Sequence, residues 1–152
     1  MTVVWKYFEI LRKPNKAFFF SKDCSLQKIE ALGKIVKYGT PSHISNIIFV
    51  LDNENEEVRK AACNAIASLF QKITNKKEYY NTLKYCEISK TDIDQYKSRF
   101  AAQQLVYLLI IASLNHDGYV REKAVMELGK VQHNKAIQLI MYRLADWVSA
   151  VR

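Results

Sequence analysis

The sequence predicts an all-α chain, folded as a right-handed α-solenoid of stacked antiparallel helical hairpins. Composition is the first reason: 152 residues contain only four glycines and two prolines, too few turn-formers for a protein of many short strands. The second is periodicity. From Val58 the apolar residues fall at 58, 61, 62, 65, 66, 69 and 70, the i, i+3, i+4, i+7 stripe of a helix with one buried face. The third is recurrence. Leu51 to Val58-Arg59, Leu114 to Val120-Arg121 and Leu144 to Val151-Arg152 each end an apolar stretch, cross a polar turn and restart at Val-Arg, with Val-to-Val steps of 62 and 31 residues. At 1.5 Å rise per residue, the shorter step suits one helix pair with its turn.

Along the chain, hairpins are expected over about 2–37, 41–72 and 100–132, with an incomplete one over 134–152, all in a single domain spanning 1–152. The N-terminal hairpin pairs a helix bearing Trp5, Phe8 and Leu11 with one bearing Ile29, Ala31, Leu32 and Gly33. Cys24 and Ser25 stand there where Val and Arg would, and Lys28 replaces a small residue. Three consecutive phenylalanines, Phe18 to Phe20, cannot all face one core from a helix.

The second hairpin opens at Thr40-Pro41, a cap followed by proline at the first helical position. Its second helix starts from Asn55, with Glu56 and Glu57 at the positive helix end. Over 73–99 the period breaks. Lys76 to Cys86, including Tyr79-Tyr80, reads as an extra short helix and Thr91 to Leu114 as one long helix, entered through a capping box at Thr91–Asp94. This stretch is either a degenerate repeat or an insertion. In the hairpin over 100–132 Ala124, Leu128 and Gly129 repeat the spacing of Ala62, Ile66 and Ala67 from the preceding valine. Small residues there let neighbouring helices approach. The apolar face of Ile137, Ile140, Met141 and Leu144 expects a partner helix beginning at Val151, so the chain reads as a piece of a longer solenoid or as one whose open end another chain covers.

The turn Leu-x-Asp-x-(Asn/Asp)-x-x-Val-Arg, followed by Ala at the fifth helical position and a Leu-Gly-type pair, resembles the HEAT repeat, in the short form found in bacterial and archaeal proteins. The resemblance covers about 23–72 and 100–152 and implies an armadillo-type superhelix. It also implies a stabilising ladder between repeats, made by the turn Asp and the Arg that begins the second helix. Asp52, Arg59, Arg121 and Arg152 match those positions, whereas Asn115 and Ala145 depart from the Asp.

No serine-nucleophile elbow, Walker loop, zinc-protease or dinucleotide motif occurs, so no catalytic residue, cofactor or metal site is expected. His43, His116 and His133 fall at turns or helix starts, where capping or plain exposure is their expected role. Cys24, Cys63 and Cys86 are odd in number and widely spaced, which reads as reduced thiols in a cytoplasmic protein. Cys63, aligned with Val125, belongs to the core. The apolar stretch Leu105 to Leu114 is about half of what a membrane span needs, so a membrane partner is not expected.

The net charge is +8, from 23 basic and 15 acidic residues. It is uneven: residues 1–37 carry eight Lys/Arg against three Asp/Glu, and 38–69 carry two against four. In stacked hairpins the second helices line the concave face, which here would offer Lys28, Lys34, Lys37, Lys60, Lys123 and Lys130 as binding residues. The leading expectation is a non-enzymatic scaffold that holds a protein or peptide on that face. The alternative is a nucleic-acid binder that uses those lysines. End-to-end self-association through the C-terminal hairpin is a further expected partner mode.

Overall fold

A computed structural model describes residues 3–16, 23–74, 81–131, 133, 134 and 137. Among these residues every regular element is helical. The expectations placed on Phe18 to Phe20, Tyr79-Tyr80 and the C-terminal hairpin beyond Ile137, with Ala145, Val151 and Arg152, lie outside the described residues. The chain divides into two compact units, Met1–Thr74 and Asn75–Arg152.

In the first unit, helix α1 (Trp5–Arg12) buries Phe8 and Leu11 and leaves Trp5 49% exposed. Helix α2 (Ser25–Tyr38) packs against it and buries Ala31, Leu32 and Ile35. The two run in opposite directions: Cys24 N–H, at the start of α2, donates to Asn15 O just past α1 at 2.9 Å. At the other end the Phe8 ring lies 5.5 Å from that of His43, just past α2.

The next segment departs from a regular α-helix. It forms two 3₁₀ helices, η1 (Pro41–Ile44) and η2 (Ile48–Asp52). With three residues per turn, Ile44, Ile47 and Val50 line up on one side, and all three are buried. β-branched residues crowd an α-helix at this density, so the tighter winding serves their burial. Thr40 opens the segment as expected, with its N–H donating to His43 Nδ1 at 2.9 Å.

Helix α3 (Glu56–Phe70) has the expected cap: Asn55 Oδ1 accepts from Glu57 N–H at 2.9 Å and Val58 N–H at 3.2 Å. Its buried face is Val58, Ala62, Cys63, Ala65, Ile66, Leu69 and Phe70, close to the predicted stripe. Each large apolar side chain taken from water there contributes about 1.5–3 kcal/mol. Lys72 Nζ donates to the carbonyls of Val36 and Gly39, closing the C-terminal end of α2.

In the second unit, residues 81–83 form a helical turn, followed by α4 (Lys90–Arg99), α5 (Ala102–Ala112) and α6 (Gly118–Leu128). The single long helix expected over Thr91 to Leu114 is therefore two. Phe100 and Ala101 are extended, with ψ of 145° and 154°. The break lets α5 fold back on α4 and buries Phe100, whose ring lies 6.0 Å from Tyr96. The cap also moves. Ser89 begins α4, its Oγ accepting from Asp92 N–H and its N–H donating to Asp92 Oδ2 at 2.7 Å, so the capping box is Ser89–Asp92 and not Thr91–Asp94.

The two units share an element order. Helices α4, α5 and α6 begin 65, 61 and 62 residues after α2, η1 and α3. Helix α4 stands in the second unit where α2 stands in the first, and α5 takes the place of the 3₁₀ pair. Packed against both α4 and α6, α5 is apolar on nearly all sides, and Leu105, Val106, Leu108, Leu109, Ile110, Ile111 and Ala112 are buried. Among the described residues no helix is long and apolar enough to cross a membrane.

Candidate functional site: a repeated turn and two helical surfaces

The turn before α3 and the turn before α6 have the same hydrogen bonds. Arg59 Nη1 donates to Asn53 O at 2.7 Å and Glu54 O at 3.0 Å. Arg121 Nη1 donates to Asn115 O at 2.9 Å and His116 O at 3.0 Å. Asn53 Oδ1 accepts from Asn55 N–H at 3.0 Å, and Asn115 Oδ1 accepts from Asp117 N–H at 2.9 Å. The cap follows in both copies, with Asp117 Oδ1 accepting from Tyr119 N–H at 2.8 Å. Each turn is thus closed by an arginine from its own following helix.

This corrects the register read from the sequence. Asn53, not Asp52, is the counterpart of Asn115, and Asp52 is the last residue of η2. The two asparagines also reach outwards. Asn53 and Asn15 exchange amide hydrogen bonds at 2.9 and 3.2 Å, whereas Asn115 Nδ2 donates to the carbonyls of Cys86 and Ile88 at 2.9 and 3.4 Å.

The six candidate binding lysines do not form one set. Lys28 is only 3% exposed, so it is removed from any binding face. Its ammonium is held below the usual lysine range by burial, which the nearby Cys24, Glu54 and Asp23 only partly offset. Lys28 stands four residues after Cys24, where Ala62 and Ala124 stand four after Val58 and Val120. Three more are ion-paired. Lys60 meets Glu56 at 2.8 Å and Glu57 at 3.2 Å, Lys123 meets Asp94, and Lys130 meets Glu127 at 2.9 Å. Lys97 also reaches Glu127 at 2.9 Å. Burial would raise the Glu127 carboxyl, but the bonds from Lys97 and Lys130 outweigh it and leave it below the ordinary value. Lys34 and Lys37 stay exposed on α2.

Sequence reading missed a surface on the second unit. Between the starts of α4 and α6 lies an open cleft of about 340 Å³, lined by Ile88, Lys90, His116, Tyr119 and their neighbours. Tyr119 is 68% exposed, with Lys90 Nζ 4.8 Å from its ring centre. One face of α6 continues from it to Met126, seven residues on and 58% exposed. The visible clue was a tyrosine and a methionine at helical spacing, outside the Val120, Ala124, Leu128 stripe.

Cys63 and Cys86 are buried and unbridged, and burial pushes both thiols up to about 12. His43 sits at a cap, and His116 N–H donates to Lys84 O at 3.1 Å. Among the described residues no group of three or more His, Cys, Asp or Glu is placed to hold a metal ion. No protein-family model, curated protein or solved structure matches the chain.

Proposed function

We propose that the chain is a non-catalytic, HEAT-like α-solenoid scaffold of the cytoplasm that binds a peptide segment of a partner protein on exposed faces of its second helices. One observation carries the reading: the same arginine-closed turn is built twice, in units of the same element order. Repeats of this kind bury a core by stacking and leave extended helical surfaces for partners. The second unit offers the seat, since a groove beside an exposed aromatic is the form in which peptide anchors dock. Tyr119 and Met126 are the anchor-contacting residues in this reading.

Peptide display selection against the whole chain tests it. Enriched peptides should bind the wild type and lose at least about fivefold in affinity on Tyr119→Ala or Met126→Ala, about 1 kcal/mol. Tyr85→Ala, also on an exposed side chain of this unit, should leave binding unchanged. Failure to enrich any peptide, or equal binding by Tyr119→Ala and Met126→Ala, removes the reading.

A further inference from the structure

In the second unit Lys97 and Lys130 meet Glu127 and Lys123 meets Asp94, while Lys90 is exposed and lies over the Tyr119 ring. On α3, Lys60 is likewise held by Glu56 and Glu57. On the α1–α2 hairpin, Lys6, Lys34 and Lys37 are exposed and make no ion pair among the described residues.

Because α1 and α2 run in opposite directions, Trp5 and Lys6 at the start of α1 lie toward the end of α2 that carries Lys34, Lys37 and Tyr38. Trp5 and Tyr38 are each 49% exposed. Lysine sits beside aromatic here as well: Lys6 Nζ is 5.0 Å from the Tyr7 ring centre and Lys37 Nζ is 5.2 Å from that of Tyr38. Glu9 and Glu30 are exposed on the same two helices, and Lys72 uses its ammonium on the last carbonyls of α2. Toward this end the exposed lysines without an ion pair are Lys6, Lys34 and Lys37, whereas Arg12, Lys13 and Lys16 are exposed toward the other end.

We propose that this end of the α1–α2 hairpin binds single-stranded nucleic acid, its lysines meeting phosphates and Trp5 and Tyr38 stacking on bases. Charge alone fits any polyanion. The half-exposed aromatics among unpaired lysines favour a strand with unstacked bases, since stacking platforms interleaved with cations are how such strands are held without sequence preference. An acidic peptide or an anionic membrane has no flat base to offer those rings. The surface is independent of the Tyr119 cleft, so either reading stands if the other fails.

Fluorescence anisotropy of a labelled, mixed-sequence single-stranded oligonucleotide tests it on the whole chain. Three phosphate contacts give a log–log salt slope of about −2, so affinity should fall about 20-fold between about 50 and 200 mM salt. Lys34→Gln with Lys37→Gln should flatten the slope to about −0.7, a fall of about threefold over the same range. Lys34→Arg with Lys37→Arg should keep the wild-type slope. Trp5→Ala and Tyr38→Ala should each lower affinity about fivefold or more at every salt concentration with the slope unchanged. If Trp5→Ala does not fold, Tyr38→Ala alone decides the stacking claim. Three results overturn the proposal: no saturable binding at low salt, an unchanged slope in the double glutamine variant, or wild-type affinity in the folded aromatic variants. Tighter binding to phosphatidylserine vesicles or to polyglutamate than to the oligonucleotide overturns it as well.

Discussion

Replacing Arg121 with methionine, which keeps the length of the stem and removes the guanidinium, isolates the clamp on the second turn. Two hydrogen bonds disappear, to Asn115 O at 2.9 Å and His116 O at 3.0 Å. Bonds from a charged donor are each worth about 1.5–3 kcal/mol net, and an acceptor left buried adds its own desolvation cost. Arg121 is only 5% exposed, so water does not readily take its place. Taking the lower value for each bond, Arg121→Met should cost about 3 kcal/mol. That is a fall of about 6–12 °C in melting temperature for a chain of this size. Arg59 makes the same bonds but is half-buried. Its carbonyls can be rehydrated, and Arg59→Met should cost about half as much. Lysine at position 121 keeps the charge but not the planar fork, so it should recover only part of the loss. Urea unfolding followed by far-UV circular dichroism measures all three. If Arg121→Met loses under about 1 kcal/mol, or no more than Arg59→Met, the buried clamp does not hold the turn as described.

Three further outcomes follow from separate features. Alanine at Gly33, which has no atom within 4 Å of an added Cβ, should stabilise the chain by about 0.5–1 kcal/mol; alanine at Gly39, where that carbon would strike Ile35 O and come within 3.3 Å of His43 Nδ1, should destabilise it by about 1–3 kcal/mol in the same unfolding assay. In the native state at mildly alkaline pH a thiol reagent should label Cys24 first, because Cys63 and Cys86 are buried with thiols near 12; mass spectrometry should find rapid labelling gone in Cys24→Ser and all remaining thiols reactive on unfolding. The Glu127 carboxyl is depressed in the folded chain, so its contribution is fully present above the ordinary glutamate value of 4.5 and is lost as pH falls below it; Glu127→Gln should flatten the acid limb of the stability–pH profile there, and an unchanged limb would count against the Lys97–Glu127–Lys130 bridge.

Much of the helical framework was legible because local chemistry decides it. The Asn55 cap and the stripe from Val58 to Phe70 need only neighbours in sequence, and both appear where expected. The break at Phe100 coincides with the expected start of a hairpin near 100, but the long helix expected over Thr91 to Leu114 ran across it. No glycine or proline marks it, and it goes with the burial of Phe100, which depends on tertiary packing. The 3₁₀ pair was hidden for a related reason, since Ile44, Ile47, Ile48 and Leu51 also fit an α-helical stripe and only packing chooses the tighter winding. Adjacent polar residues, Asp52 and Asn53, allowed the turn register to slip by one. The lysines were least readable of all. Burial of Lys28 and the pairing of Lys123 with Asp94, 29 residues apart, depend on tertiary proximity that no spacing rule reports.

The asparagine of the repeated turn has two sides with different duties. Its oxygen always accepts from the backbone N–H two residues on, while its amide nitrogen donates to a different partner in each copy. In the first unit that partner is another asparagine side chain, and in the second it is a pair of main-chain carbonyls. A joint that carries its own fastener and asks of its neighbour only an oxygen atom can be copied along a chain without the neighbours being copied too. Such a joint lets the segments before it drift in sequence, even where every other sign of repetition has worn away.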